Sequence, residues 1–435
     1  MHSHVPMQLI ANPDSGLAPA SRAAIPTDRA GRLSVWIYVA WLATYVVEGP
    51  LRGALSSIGA ANLLYLRDLV GAASIAVALV GPLLHKERPA PGLVLMAWLL
   101  AVHVCIGLLL GGTVFQRLFG IKIFVPVLYA LALYPVVQRH FGLFMRAMGL
   151  FFVIASAGVF INAVVGEMPW EGLKYDTAFG AVQTTRQWWM SGGVSRLPGF
   201  ARASFDAAMV IGVCGVLLLA ALRPVWLRAA VAAAGLAAIF LTTSKGMVVA
   251  FAVAALWLVP ANRSAASFKS GRVLVAVLML VTCLVPTLFM IVSVPEHPTE
   301  MPPLLSSLWD RFSWMWPNAY ELLPDGFGAL TGVGPGGIGT ALEHPEELVI
   351  PNSGDSIFVY YFVSFGLAGI LYLAWPVLAL FKRDSARDPR AFVWAGLLIV
   401  TYGYGLSINM VEQSFFASVL GLLYGKAFEA QRSLE

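Results

Sequence analysis

Residues 330–340 read LTGVGPGGIGT. Gly332, Gly334 and Gly337 fit the spacing G-x-G-x-x-G, which cradles a pyrophosphate when it joins a strand to a helix. A nucleotide loop here would make the chain an α/β protein, so the surroundings of this stretch decide the fold. The preceding PDGFG, residues 324–328, is no buried strand, and no strand–helix–strand pattern surrounds it. Asp355 stands 18 residues beyond Gly337, about where a ribose-binding acid would sit, but it opens an apolar run. The stretch is therefore read as a backbone turn. Gly332, Gly334 and Gly336 can take positive φ without a Cβ penalty, and Pro335 fixes the bend.

The rest of the chain agrees. Of 435 residues, 59% are apolar and only 12% charged, against about 25% charged in soluble domains. The mean hydropathy is +0.77. No soluble core hides that much apolar surface, so the expected fold class is an all-α integral membrane protein. The net charge of +5 belongs to loops at the membrane face rather than to a nucleic-acid site. Cys105, Cys214 and Cys283 are scattered in apolar runs and make neither a disulfide framework nor a zinc site.

Twelve runs are apolar enough to count as spans: 33–48, 62–84, 91–111, 120–137, 143–165, 204–222, 225–242, 246–261, 272–294, 355–381, 391–409 and 411–427. With the N-terminus inside, 18 of the 28 Lys and Arg fall on the cytoplasmic side, as the positive-inside rule asks. Both termini are then cytoplasmic. Residues 1–30 read as a polar, proline-interrupted cytoplasmic tail without a signal peptide. Residues 31–430 form one polytopic domain with two long periplasmic loops, 166–203 and 295–354. The second loop carries Trp309, Phe312, Trp314, Trp316 and Tyr320, enough aromatic surface to pack.

Four segments on the outer side carry a family resemblance. They are Arg196-Leu197-Pro198-Gly199, the turn Thr243-Ser244-Lys245-Gly246, the run RFSWMW (311–316) followed by LTGVGPGG, and NSGDSIFVYYFVSFGLAG at 352–369. Their order resembles the O-antigen ligase and Wzy-type polysaccharide polymerase superfamily over roughly residues 190–370. The resemblance implies a helical, GT-C-type glycosyltransferase of the cell inner membrane. Its substrate would be an undecaprenyl-pyrophosphate-linked oligosaccharide, its product an exopolysaccharide or O-antigen. A glycan acceptor, the lipid bilayer, a flippase and a chain-length regulator would be its partners. The chain departs from the family in three places. Lys245 stands where Arg is commoner, Ala203-Ser204-Phe205-Asp206 replaces a Pro-Asn, and Gly354-Asp355-Ser356 replaces the His-Asn or His-Ser pair of the ligase branch. Polymerase is the first expectation. A ligase joining glycan to lipid A core is the second, and a twelve-span secondary transporter is the rival of another class.

The chemistry selects candidates. A lipid pyrophosphate leaves with growing negative charge, which preorganised cations stabilise. Arg311 is the only Lys or Arg among the eight acids of the second loop; it is read as catalytic, with a salt bridge to a loop acid as the structural alternative. Arg196 and Lys245 are the other catalytic cations, Lys245 having an interfacial anchor as its alternative. These three are expected to converge on one outward pocket. Arg186 and Arg202 are expected at the substrate, with an aromatic belt at Trp188 and Trp189 beside the first and snorkelling as the alternative for the second. Gly334 and Gly336 are expected to shape the substrate-binding loop. For the general base, His344 and Asp355 stay open, Asp355 having a helix N-cap as its alternative. His103 reads as a packed polar residue and His297 as an exposed turn. No Asp-x-Asp pair or His/Cys cluster points to a metal, and no cofactor or nucleic acid is expected. Glu48, Arg67 and Asp68 lie near membrane depth; Arg67 and Asp68 are adjacent in sequence, so each needs a partner elsewhere.

Overall fold

A computed structural model describes residues 28–177, 180–183, 185, 195–295, 303–342, 354–382, 388 and 390–432. The tail up to residue 27, Arg186, Trp188, Trp189, His297 and His344 lie outside the described residues.

The apolar runs become helices. In chain order these are α1 (Arg29–Val46), α2 (Glu48–Ser57), α3 (Leu66–Leu84), α4 (Pro91–Leu109), α5 (Val114–Arg139), α6 (Phe141–Val165), α7 (Ser204–Ala221), α8 (Val225–Leu241), α9 (Lys245–Leu258) and α10 (Ala265–Leu288). The second long connection carries α11 (Pro303–Asp310), a wide π-type turn (Arg311–Met315), α12 (Trp316–Tyr320) and α13 (Gly328–Thr331). The chain closes with α14 (Ile357–Phe365), α15 (Leu367–Leu380), α16 (Ala391–Gly405) and α17 (Ser414–Arg432). Six helices are long and apolar enough to cross a membrane, or up to seven when the bent pair α1–α2 is taken as one span. The protein is a helical, multi-pass membrane protein.

Three details differ from the sequence reading. The first connection holds a small antiparallel hairpin, β1 (Lys174–Thr177) with β2 (Gly180–Gln183), so the chain is not purely helical. The first span turns by 82° into α2 instead of ending in a loop. The run 355–381 is broken at Gly366, whose φ is +58° and whose missing Cβ leaves room for the Leu330 carbonyl. Apolar composition cannot report such a break, because both halves remain apolar.

Burial ranks the helices. In α7, 78% of the spanning window is buried, against 17% for the span containing α3 and 22% for α10. α7 is therefore central, and α3 and α10 present their apolar residues outward. Lipid is as apolar as these side chains, so close backbone packing rather than hydrophobic expulsion must hold the helices together. Glycines supply that approach on α17. A Cβ at Gly421 would strike the Val127 carbonyl of α5, and one at Gly425 the Tyr134 ring.

Two sets of polar contacts mark the two ends of the bundle. At one end Tyr134 donates to Glu429 at 2.7 Å, Lys426 pairs with Asp388 at 2.8 Å, and His140 meets Asp28 at 3.2 Å. There too Arg263 donates to the carbonyls of Ala220, Ala221 and Leu222 at the end of α7, satisfying acceptors that a helix terminus leaves open. The opposite end gathers both long connections and the glycine stretch.

Candidate functional site

The Arg196 and Lys245 segments are positioned by a glycine and by a strained turn. Gly199 has φ +58°, and its missing Cβ lets the Arg196–Gly199 segment lie on α6 at Gly158 and Val159. Asn162 of α6 accepts from the Gly199 amide at 3.0 Å and donates to Glu171 at 2.9 Å, tying the start and the end of the first connection to one buried side chain. Thr243 also sits at φ +58°. That is an outlier for a β-branched residue, and such strain clusters at working sites. It turns the chain so that Lys245 opens α9. Gly246 then approaches α16, where a Cβ would strike Ser407 Oγ and come within 3.1 Å of the Tyr404 ring.

Arg311 reaches the same place from the second connection. It opens the π-type turn, a widening that recurs at functional sites. Phe312 of that turn stacks on Phe289, centroids 4.2 Å apart and planes at 8°, and Trp316 packs against both. The Arg311 guanidinium donates through Nε to the Ser407 carbonyl at 2.9 Å, through Nη2 to Asp355 at 3.0 Å, and through Nη1 to the Ser307 carbonyl. Ser407 thus touches both the Lys245-Gly246 turn and Arg311.

The charges of the three side chains act on one another. Burial first, and the charge of Arg311 second, push the pKa of Arg196 below the ordinary arginine range. Arg196 and Arg311 also act on Lys245. Like charges brought together at a partly buried site repel. Buried Nε of Arg196 and Oγ of Ser356 find no partner among the described residues. Asp355 is a carboxylate paired within the cluster, at 3.0 Å from Arg311. Its side chain is 27% exposed and that of Arg311 is 16% exposed, so this pair is far less screened than a surface bridge. The Asp355 carbonyl also accepts from Trp316 Nε1 at 3.3 Å. Ser356, not Asp355, is the N-cap of α14. Asp355 therefore pairs with Arg311 and is not the helix cap that was its structural alternative.

The glycine stretch lies elsewhere. Gly332, Gly334 and Gly336 have φ of +67°, +80° and +79°, the turn that the sequence asks for. All three are buried in helix packing. A Cβ on Gly334 would stand 2.5 Å from the His103 carbonyl, and one on Gly336 would strike the Gln116 carbonyl. The amides of Val333 and Gly334 donate to Val363 and Ser364 at 2.8 and 2.9 Å. Buried Arg117 of α5 donates to the carbonyls of Gly334, Pro335 and Gly107. Gly334 and Gly336 are thus corrected from substrate-binding residues to a wedge locking the second connection between α4, α5 and α14. The amides of Gly332, Val333, Gly334 and Gly337 are spent inside the protein, which argues against a nucleotide loop.

Arg202 lines a separate polar cavity, with Glu48, Arg67 and Asp206. The membrane-depth charges find their partners: Arg67 pairs with Glu48 at 2.9 Å and Lys122 with Asp68 at 3.2 Å. His103 is packed, its Nδ1 facing the Leu99 carbonyl at 2.8 Å with Phe365 edge-on. Among the described residues no group of three His, Cys, Asp or Glu could hold a metal ion.

Compared with family models, curated proteins and solved structures, the chain matches none.

Proposed function

We propose that the protein is a GT-C-type glycosyltransferase of the cell inner membrane that polymerises undecaprenyl-pyrophosphate-linked oligosaccharide repeats. The observation that carries this is the meeting of Arg196, Lys245 and Arg311, from three segments far apart in sequence, at one end of the bundle. In the transfer, an acceptor hydroxyl attacks the anomeric carbon and the lipid pyrophosphate departs with the bonding electrons. Its charge is what the three cations neutralise. Each such preorganised donor is worth roughly 2.7–4 kcal/mol. Arg311 offers a planar fork suited to phosphate oxygens, and Asp355 keeps it oriented.

The proposed topology has twelve spans. They are α1, α3 through α10, α14 with α15 as one broken span, α16 and α17, with both termini cytoplasmic and the cation site outside. The contacts at the two bundle ends support this order, since Arg263, Arg390 and Lys426 lie at the end opposite the site. The 14 residues of α9 span only about 21 Å, so the bilayer thins or the turn at Lys245 dips below the headgroups. A charge held there sits where a lipid-borne pyrophosphate lies. A flippase and a chain-length regulator remain the proposed partners.

Deleting the gene tests the reaction. Single repeats left on undecaprenyl pyrophosphate are expected in the membrane lipid extract. Full-length chains left unattached would assign a ligase instead, and an unchanged polysaccharide would sink both.

A further inference from the structure

Arg196 can serve a leaving group only if its backbone stays where the fold puts it, although it lies on a connection and not on a helix. A chain of contacts holds that backbone, and it ends on one side chain. Asn162, in the last turn of α6, is 1% exposed. Its Oδ1 accepts from the Gly199 amide at 3.0 Å. Its Nδ2 donates to the Gly166 carbonyl and, at 2.9 Å, to Glu171 Oε1, which also accepts from the Met168 amide at 3.2 Å. A carbonyl and an ionised carboxylate only accept, and a backbone amide only donates. The partners themselves therefore dictate which way the Asn162 amide points.

From Gly199 the constraint passes to Arg196 through stiff neighbours. Pro198 fixes its own φ and restricts Leu197 before it. The Ala201 amide closes a turn on the Pro198 carbonyl at 3.1 Å. Gly199, at φ +58°, lies so close on α6 that a Cβ would stand 2.7 Å from the backbone of Gly158 and Val159. On the other side the Phe200 carbonyl accepts from the Gly49 amide of α2 at 2.9 Å. The segment is clamped between α2 and α6, and Asn162 supplies the hydrogen bond on the α6 side.

We infer that Asn162 is a positioning residue for the transfer: oriented by Glu171, it sets where Arg196 meets the pyrophosphate. The inference rests on the glycosyl transfer proposed above. Asn162 touches no reacting group and acts through the Gly199 backbone. A carboxylate in its place would keep an acceptor for Gly199. It would also turn a second oxygen on the Gly166 carbonyl and on Glu171, acceptor against acceptor, where water cannot intervene. Exchanging the Glu171 carboxylate for an amide would return a donor to that side. The bland alternative is that Asn162 only packs the end of α6, and the test must separate the two.

The full chain in nanodiscs, given the lipid-linked repeats extracted from the deletion strain, makes the separation. Asn162→Asp is expected to lower kcat by about 10²-fold, the cost of a misplacement of about 1 Å. Glu171→Gln, which still accepts from Asn162 and Met168, should stay within a few-fold of the parent. The pair Asn162→Asp with Glu171→Gln should recover most of the loss, and no recovery would overturn the part given to Glu171. The sharper comparison removes Arg196. Once Arg196→Ala is in place, Asn162→Asp should cost no more than a few-fold further, because the group it positions is gone. A residue that only packs would lower elongation by the same factor in both backgrounds, since independent effects add; that result overturns the inference. So does elongation by Asn162→Asp within a few-fold of the parent. Asn162→Ala, which brings no charge, carries the same comparison should Asn162→Asp not fold. Failure of the parent protein to elongate would instead overturn the proposed reaction, and full activity of Arg196→Ala would overturn the place given to Arg196.

Discussion

Arg311→Ala is expected to lower elongation by about 10²–10³-fold, the cost of losing one preorganised donor to a developing anion. Expression should stay near normal. Arg311 repels Arg196 and Lys245, so removing it relieves the folded protein of like-charge strain. Against that stands Asp355, which loses its partner but keeps some access to solvent. The loss should therefore appear in turnover rather than in the amount of protein. Arg311→Lys should recover little, since an ammonium cannot reach Asp355, the Ser407 carbonyl and a phosphate in one fork. Lys245→Arg should be tolerated better than Lys245→Ala, because it preserves the charge at a turn. Undiminished elongation by Arg311→Ala at normal expression would remove this residue from the site.

Gly336→Val is expected to cost folding rather than chemistry. Its backbone conformation penalises any side chain by about 1–3 kcal/mol. The Gln116 carbonyl leaves no space for the new atoms, and overpacking typically adds about 1–3 kcal/mol more. Against a total stability of about 5–15 kcal/mol, this is enough to deplete the folded protein. Gly326→Ala supplies the comparison. Its φ is also +79°, but nothing lies within 4 Å of the added Cβ, so only the backbone penalty remains. Thermal melting in detergent should show a much larger drop for Gly336→Val. Equal drops would mean that the glycine stretch is not a wedge.

Much of this arrangement is legible in the sequence because it follows from local rules. Long apolar runs become helices, positive φ falls on Gly332, Gly334 and Gly336, and adjacent Arg67 and Asp68 turn to different partners. The cations at 196, 245 and 311 stand out because each interrupts a segment that is otherwise apolar, aromatic or acidic. What stays hidden is long-range. Arg117 reaches Gly334 across 217 residues, and nothing near Arg117 announces a buried carbonyl to hold. Asp206 reads as an ordinary acid in a first helical turn until Glu48, Arg67 and Glu412 surround the same cavity. Asn162 looks like a polar residue at the end of a span, though it fixes the Gly199 amide. Asp355 was legible as a candidate acid, but its ion pair with Arg311 depends on how the second connection folds back. The break at Gly366 escapes hydropathy because the chain stays apolar across it.

The most direct test of the account is elongation by the purified protein alone. The full chain, reconstituted in liposomes with undecaprenyl-pyrophosphate-linked repeats and EDTA, should convert single repeats into a ladder of longer lipid-linked glycans, because cationic side chains do the work at the leaving group. A ladder seen only after magnesium or manganese is added would contradict the role given to Arg196, Lys245 and Arg311. Solute flux across the liposome with no change in glycan length would contradict the proposed reaction itself.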